Sequence, residues 1–140
     1  MKGFTLFEII ITIGILGTIS AVSFPVINNL YSDFQLTSER DNLIGVLRKA
    51  QSLAFTNQGQ SSYGVELLEN QYVVFKGNSY TERDSVFDEK FAKPSGITIS
   101  GLSEIIFTPL SGTPNATGTF NLSNGRQNLS IQINEEGVIN

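Results

Sequence analysis

One carboxylate in this chain stands where carboxylates are costly. Glu8 sits near the start of an apolar stretch that meets no further charged residue until Asp33. An ionisable side chain in a segment able to enter a bilayer costs roughly 2.5 to 3.5 kcal/mol on insertion scales, so it implies a function and a partner of opposite charge. Few other residues offer chemistry. Cys, His and Trp are all absent from the 140 residues. Their absence removes disulfides, thiol nucleophiles, the usual triads and the usual zinc sites. No nucleophile, base and acid stand out as a set, so the expectation is a non-enzyme with no cofactor and no metal.

Two weaker constellations remain. Glu82, Asp84, Asp88 and Glu89 form the most oxygen-rich stretch, but Arg83, Lys90 and Lys93 are interspersed with them. Calcium takes about six to eight oxygens, so a solvated loop is the better reading of that stretch. The basic residues are scattered: Arg48-Lys49 is the only adjacent pair, and Glu135-Glu136 stand near the end. With 13 acidic and 9 basic residues the net charge is −4. That balance argues against nucleic acid as a partner.

The elements that must position Glu8 follow from periodicity. The uncharged run from Ile9 to Ser32 is longer than the roughly 7 to 15 residues of a signal-peptide core, although Ala21-Val22-Ser23 would pass as a weak cleavage site. A plain signal peptide or simple membrane anchor leaves Glu8 without a role. Gly14, Gly17 and Pro25 interrupt the run in a way membrane helices tolerate, and a kink is expected at or just before Pro25. Thr12, Thr18, Ser20 and Ser23 are placed to bond back to helix carbonyls. Beyond residue 33 the pattern turns amphipathic. Leu36, Leu43, Val46, Leu47, Ala50, Leu53 and Ala54 recur at three- and four-residue steps, while Glu39, Arg40 and Asp41 are assigned to the polar side. One helix from about Phe4 to Thr56 is expected, with Gly59 as a left-handed cap.

The remainder reads as sheet. Residues 63–68 and 72–75 suggest a hairpin, 97–99 and 105–107 two short strands, and 119–122 and 129–133 a hairpin turning at Asn124-Gly125. Residues 77–95 read as a polar surface excursion carrying Phe87 and Phe91, and 110–116 as a loop. The expected fold class is α+β: a long N-terminal helix, half membrane-spanning and half amphipathic, packed on an antiparallel sheet. The expected divisions are 1–3, 4–32 and 33–140, the last comprising helix 33–57 and sheet 62–140.

The beginning of the chain, with Gly3, Phe4, Thr5, Leu6 and Glu8 ahead of an uninterrupted apolar run, resembles the prepilin leader of type IV pilins and type II secretion pseudopilins. The resemblance implies cleavage after Gly3 by prepilin peptidase, N-methylation of the new terminus at Phe4, and an assembly role for Glu8 as partner of the Phe4 amine. It also implies a pilin-like fold, with Pro25 at the family's helix kink. The implied life cycle starts as a single-pass protein of the bacterial inner membrane, head on the extracytoplasmic side. It continues in a filament, with other pilin or pseudopilin subunits, membrane lipid and the inner-membrane assembly platform as partners. The stretch Leu43–Ala54 and the end of the chain, from Gly118 through Gly137-Val138-Ile139, are similar to the H-type (GspH/FimT-like) minor pseudopilins. Departures are a cysteine-free end, where major pilins often close a disulfide loop, and no calcium loop near the C-terminus. A membrane-tethered binding pilin for DNA uptake or adhesion is the alternative the same leader would serve.

Overall fold

The computed structural model describes residues 3–140, and within them the side chains of residues 22–26 lie outside the described set. The chain is α+β. One α-helix, α1 (Leu6–Phe55), is followed by a short 3₁₀ turn, η1 (Gln58–Gln60), and then by seven strands. These are β1 (Tyr63–Leu67), β2 (Gln71–Lys76), β3 (Asp84–Ala92), β4 (Thr98–Gly101), β5 (Glu104–Phe107), β6 (Gly118–Ser123) and β7 (Asn128–Ile133). Two compact units divide between Phe34 and Gln35, close to the change of composition at Asp33.

In the first unit, Thr5 opens α1. Its carbonyl accepts the Ile9 N–H at 3.2 Å, the first bond of the helix, and its hydroxyl accepts the Glu8 N–H at 3.3 Å, which satisfies one of the donors every helix start leaves over. The hydroxyls of Thr12, Thr18 and Ser20 donate to the carbonyls of Glu8, Ile15 and Leu16 at 2.7 to 2.8 Å, as their type predicts. Helical assignment continues through Pro25. The Pro25 and Ser23 side chains, and with them the expected kink and the fourth hydroxyl bond, lie outside the described residues, as do Met1 and Lys2 of the leader. Among the described residues no helix is long and apolar enough to cross a membrane. The continuously described apolar part, Leu6 to Ala21, is shorter than the about 20 residues a span needs.

The second unit is built on the amphipathic half of α1. Leu36, Leu43, Val46, Leu47, Ala50 and Ala54 are buried together with Val65, Tyr72, Val74, Ile105 and Phe107 of one sheet and Phe120, Leu122, Ile131 and Ile133 of another. The helix ends at Phe55 because Asn57 turns left-handed (φ 53), a conformation Asn adopts more readily than most residues. Gly59 is left-handed as well (φ 66), but it lies inside η1 rather than at the end of α1.

Two sheets replace the single one expected. One is four-stranded in the order β3-β2-β1-β5, the other three-stranded in the order β4-β6-β7, and every pairing is antiparallel. The divergence happens between β4 and β5, which look like neighbours in the sequence. Gly101 (φ 111) ends β4 beside β6, and three residues later Glu104 begins β5 beside β1. The β6–β7 turn is also shifted by one residue. Asn124 N–H donates to the Gln127 carbonyl, so Gly125 (φ 81) and Arg126 are the central pair, glycine first, as a II′ hairpin turn requires.

The polar excursion contains a nine-residue strand, β3. Its sequence lacks a strand signature because it is an edge strand, mostly exposed, with a register shift against β2 between Val74 and Lys76 that breaks its alternation. The residues before it fold back on the sheet. Val73 and Phe75 face away from the main core, yet both are fully buried. Tyr80 packs on Phe75: its ring meets Phe75 edge-on at 5.6 Å, and its N–H donates to Glu104 at 2.7 Å. Arg83 then stacks on Tyr80 at 3.7 Å and clamps Asp88 with Nε at 2.9 and 3.0 Å from its two oxygens. Gly64 makes this possible, since a Cβ there would lie 2.4 Å from the Phe75 ring.

Candidate functional site

The N-terminal unit collects every residue the sequence singled out for processing and assembly. Gly3 is exposed, with nothing within 4 Å of where a side chain would begin. Phe4 is 80% exposed. Glu8 is exposed in the first turn of α1, where the positive end of the helix dipole favours a carboxylate. Among the described residues no cation lies within ion-pair distance of Glu8. The amine expected to pair with it does not exist while Phe4 remains in peptide linkage to Gly3. Around Glu8 the apolar side chains run uncovered on all sides of the helix: Leu6 is 80% exposed, and Phe7, Ile10, Ile13 and Leu16 are all more than half exposed.

The head disperses the carboxylates of 82–89. Asp88 is held by Arg83, Glu89 pairs with Lys49 of α1, and Asp84 accepts the Val86 N–H at 3.2 Å. Among the described residues no group of three or more acidic side chains is arranged to hold a metal ion. Three basic side chains of α1 are committed in a similar way. Arg40 donates to the Ser130 carbonyl at 3.4 Å and Arg48 to the Ile139 carbonyl at 3.2 Å. Lys49 also lies over the Phe91 ring at 5.5 Å.

Glu39 is placed differently from its expected position on the polar side. It is buried, 5% exposed, and accepts the Tyr72 hydroxyl at 2.5 Å and the Asn42 amide at 3.4 Å. The signal was present: Glu39 stands three residues after Leu36 and four before Leu43, on the apolar stripe itself. Burial, followed by the bond to Glu39 and its charge, pushes the Tyr72 phenol far above the usual tyrosine range. The hydroxyl therefore stays a donor, and the pair fixes which turn of α1 lies over β2.

A second perturbed group lies across β1 and β5. Glu66 and Glu104 are directly opposed. Burial first, then the Glu104 charge, raises the Glu66 pKa, and Arg83 partly offsets them.

No protein-family model, no curated protein and no solved structure matches this chain. Its own residues therefore carry the functional conclusion.

Proposed function

We propose that the chain is a non-enzymatic structural subunit of the pilin and pseudopilin type, with a pilin-like fold, and within that class an H-type minor pseudopilin. The observation that carries the reading is the conjunction at the N-terminus. A Gly3–Phe4 junction precedes a capped helix start, and Glu8 is the one charged residue of α1 before Asp33, in the part whose described apolar side chains are exposed. The similarity of Leu43–Ala54 and of the closing strands to the H-type group supports the narrower assignment.

In this account prepilin peptidase cuts after Gly3 at the inner membrane and Phe4 becomes an N-methylated terminus. The new ammonium adds its charge to the dipole at the start of α1, and Glu8, four residues on, neutralises it within one chain or between neighbours. Without that pairing, two charges would enter a hydrocarbon environment unpartnered. Once the assembly platform draws the subunit from lipid, α1 is covered by the helices of neighbouring subunits, and the head packs outside them. Single Gly residues at 14 and 17, with no heavy atom within 4 Å, leave room for close helix approach.

The test is Glu8→Ala in a filament-forming host. Processing should continue while incorporation into filaments falls about tenfold or more, the loss expected when a buried charge is left without its partner. Wild-type incorporation of the variant would remove Glu8 from the assembly mechanism. Deletion of the chain should change filament number; unchanged filaments that had lost a ligand would instead favour a binding pilin.

A further inference from the structure

The open end between α1 and the four-stranded sheet holds a cleft of about 260 Å³. Leu53 of α1, Val74 of β2 and the half-exposed Phe87 of β3 make its apolar walls. Tyr63 lines it too. That residue is only 6% exposed, yet its hydroxyl makes no hydrogen bond among the described residues. Among the described residues no fully enclosed side-chain polar atom lacks a partner, so the Tyr63 hydroxyl is not sealed in the core, and the residue lines the cleft. Like any tyrosine it is protonated and able to donate at neutral pH, and burial raises its pKa further.

A second donor meets it there. Lys76 lines the same cleft and holds its ammonium 4.5 Å from the centre of the Phe87 ring. Gly59 leaves the space, since a Cβ at this left-handed position would lie 2.7 Å from Lys76 Nζ. Among the described residues Lys76 makes no ion pair. Asp84 stands opposite it on β3, but its carboxylate accepts the Val86 N–H instead. Glu89, the one carboxylate lining the cleft, is taken up by Lys49. The carbonyls that end α1 are occupied as well: Ser52 and Leu53 accept from Thr56, and Ala54 accepts from Asn57 and Leu110. Within the cleft an ammonium that makes no ion pair among the described residues and a phenol hydroxyl thus face apolar side chains, and the nearest carboxylate not held by another cation is that of Asp84.

We infer that this cleft binds a small apolar carboxylate, its oxygens on Lys76 Nζ and the Tyr63 hydroxyl and its hydrocarbon body against Leu53, Val74 and Phe87. The volume lies just below the roughly 300 Å³ at which drug-sized pockets begin, so one side-chain-sized group fits. Such a group is either a free arylalkanoic acid or the last residue of a polypeptide, and the chemistry that recognises the two is the same. The inference does not rest on the filament role.

The experiment is a titration of the full-length protein in detergent micelles, with its tyrosines replaced by 3-fluorotyrosine and followed by fluorine NMR. The chain has 4 tyrosines, and Tyr63→Phe identifies the signal of Tyr63 by its loss. The probe 3-phenylpropionate should move that signal saturably, with a midpoint on the order of millimolar for so small a ligand. Its neutral amide should not. Lys76→Gln should weaken the midpoint about tenfold while leaving the other tyrosine signals in place, and Lys76→Arg should restore it. Acetyl-Gly-Gly-Phe with a free carboxylate separates the sources. A midpoint at or below that of the small acid points to a polypeptide terminus, and binding of the small acid alone points to a free metabolite-sized ligand. Equal response to the amide, an unchanged midpoint in Lys76→Gln, or no saturation up to about 50 mM overturns the site.

Discussion

The same helix serves two units that treat apolar residues in opposite ways. Before Phe34, Ile13 is 64% exposed and Leu16 59%; after it, Leu43 and Leu47 are 0% exposed. The difference is one of pattern rather than residue type. Downstream, leucines and alanines recur on one stripe, and two sheets supply a surface to receive them. Upstream, apolar residues occupy all sides of the helix, and a side chain pointing every way finds cover only in lipid or in other helices. Polar groups divide the same way. The upstream hydroxyls are satisfied within their own helix, whereas downstream Glu39 and Gln51 reach across to the sheets and loops. The first unit leaves its apolar side chains exposed, and the second buries them against its own sheets.

If that contrast is right, equal truncations in the two units differ most in their effect on folding. Leu47→Ala should destabilise the head by about 2 to 5 kcal/mol, the cost of a cavity in a closed core. Ile13→Ala should leave head stability unchanged. Urea unfolding of the full-length protein in detergent, followed by the tyrosine signals, measures both, and an equal loss from Ile13→Ala would erase the distinction between the units.

Tyr72→Phe sharpens the comparison at the polar level. It strips Glu39 of its hydroxyl donor in the core and should cost about 1 to 3 kcal/mol by the same assay. Thr12→Val upstream, which removes a hydroxyl that only bonds its own helix, should not alter head unfolding. The smallest effect belongs to Glu66. Its raised pKa means that ionising it costs the folded state more than the unfolded one. Wild-type stability therefore falls as pH rises from the ordinary glutamate value of 4.5 through the raised one. Glu66→Gln should gain about 0.2 to 1 kcal/mol at pH 7, the scale of a cross-strand charge pair, and lose that advantage in acid below the ordinary value. Thermal midpoints at the two pH values check the sign.

Much of this organisation was legible in the residues. The helix was placed within two residues of its observed ends, and the strands around Tyr72–Phe75, Ile105–Phe107 and Leu129–Ile133 announced themselves by apolar content. What stayed hidden depended on partners distant in sequence. Glu39 looked like surface because its charge outweighed its place on the stripe, and only Tyr72, from another element, makes its burial tolerable. Strand β3 looked like a loop because an edge strand has one row of backbone groups unpaired and carries charges. The split into two sheets turns on Gly101, and no local pattern separates β4 from β5. The cleft at Tyr63 and Lys76 has no sequence signature, since its walls come from α1, η1 and three strands. At the N-terminus the position was reversed: motif and spacing named Gly3, Phe4 and Glu8, and the fold adds their exposure and the Thr5 cap.

The central claim, that the uncovered helix belongs to a processed filament subunit, is tested most directly at its first residue. The chain should be expressed with a prepilin peptidase in a membrane-bearing host, recovered from the membrane, and its intact mass and terminal peptide measured. The account predicts a mature chain that begins at Phe4 and carries one added methyl group, and Gly3→Val should abolish both changes. A chain beginning near Ser23, as after an ordinary signal peptide, or one that keeps Met1 through Gly3 beside an active peptidase, would contradict it.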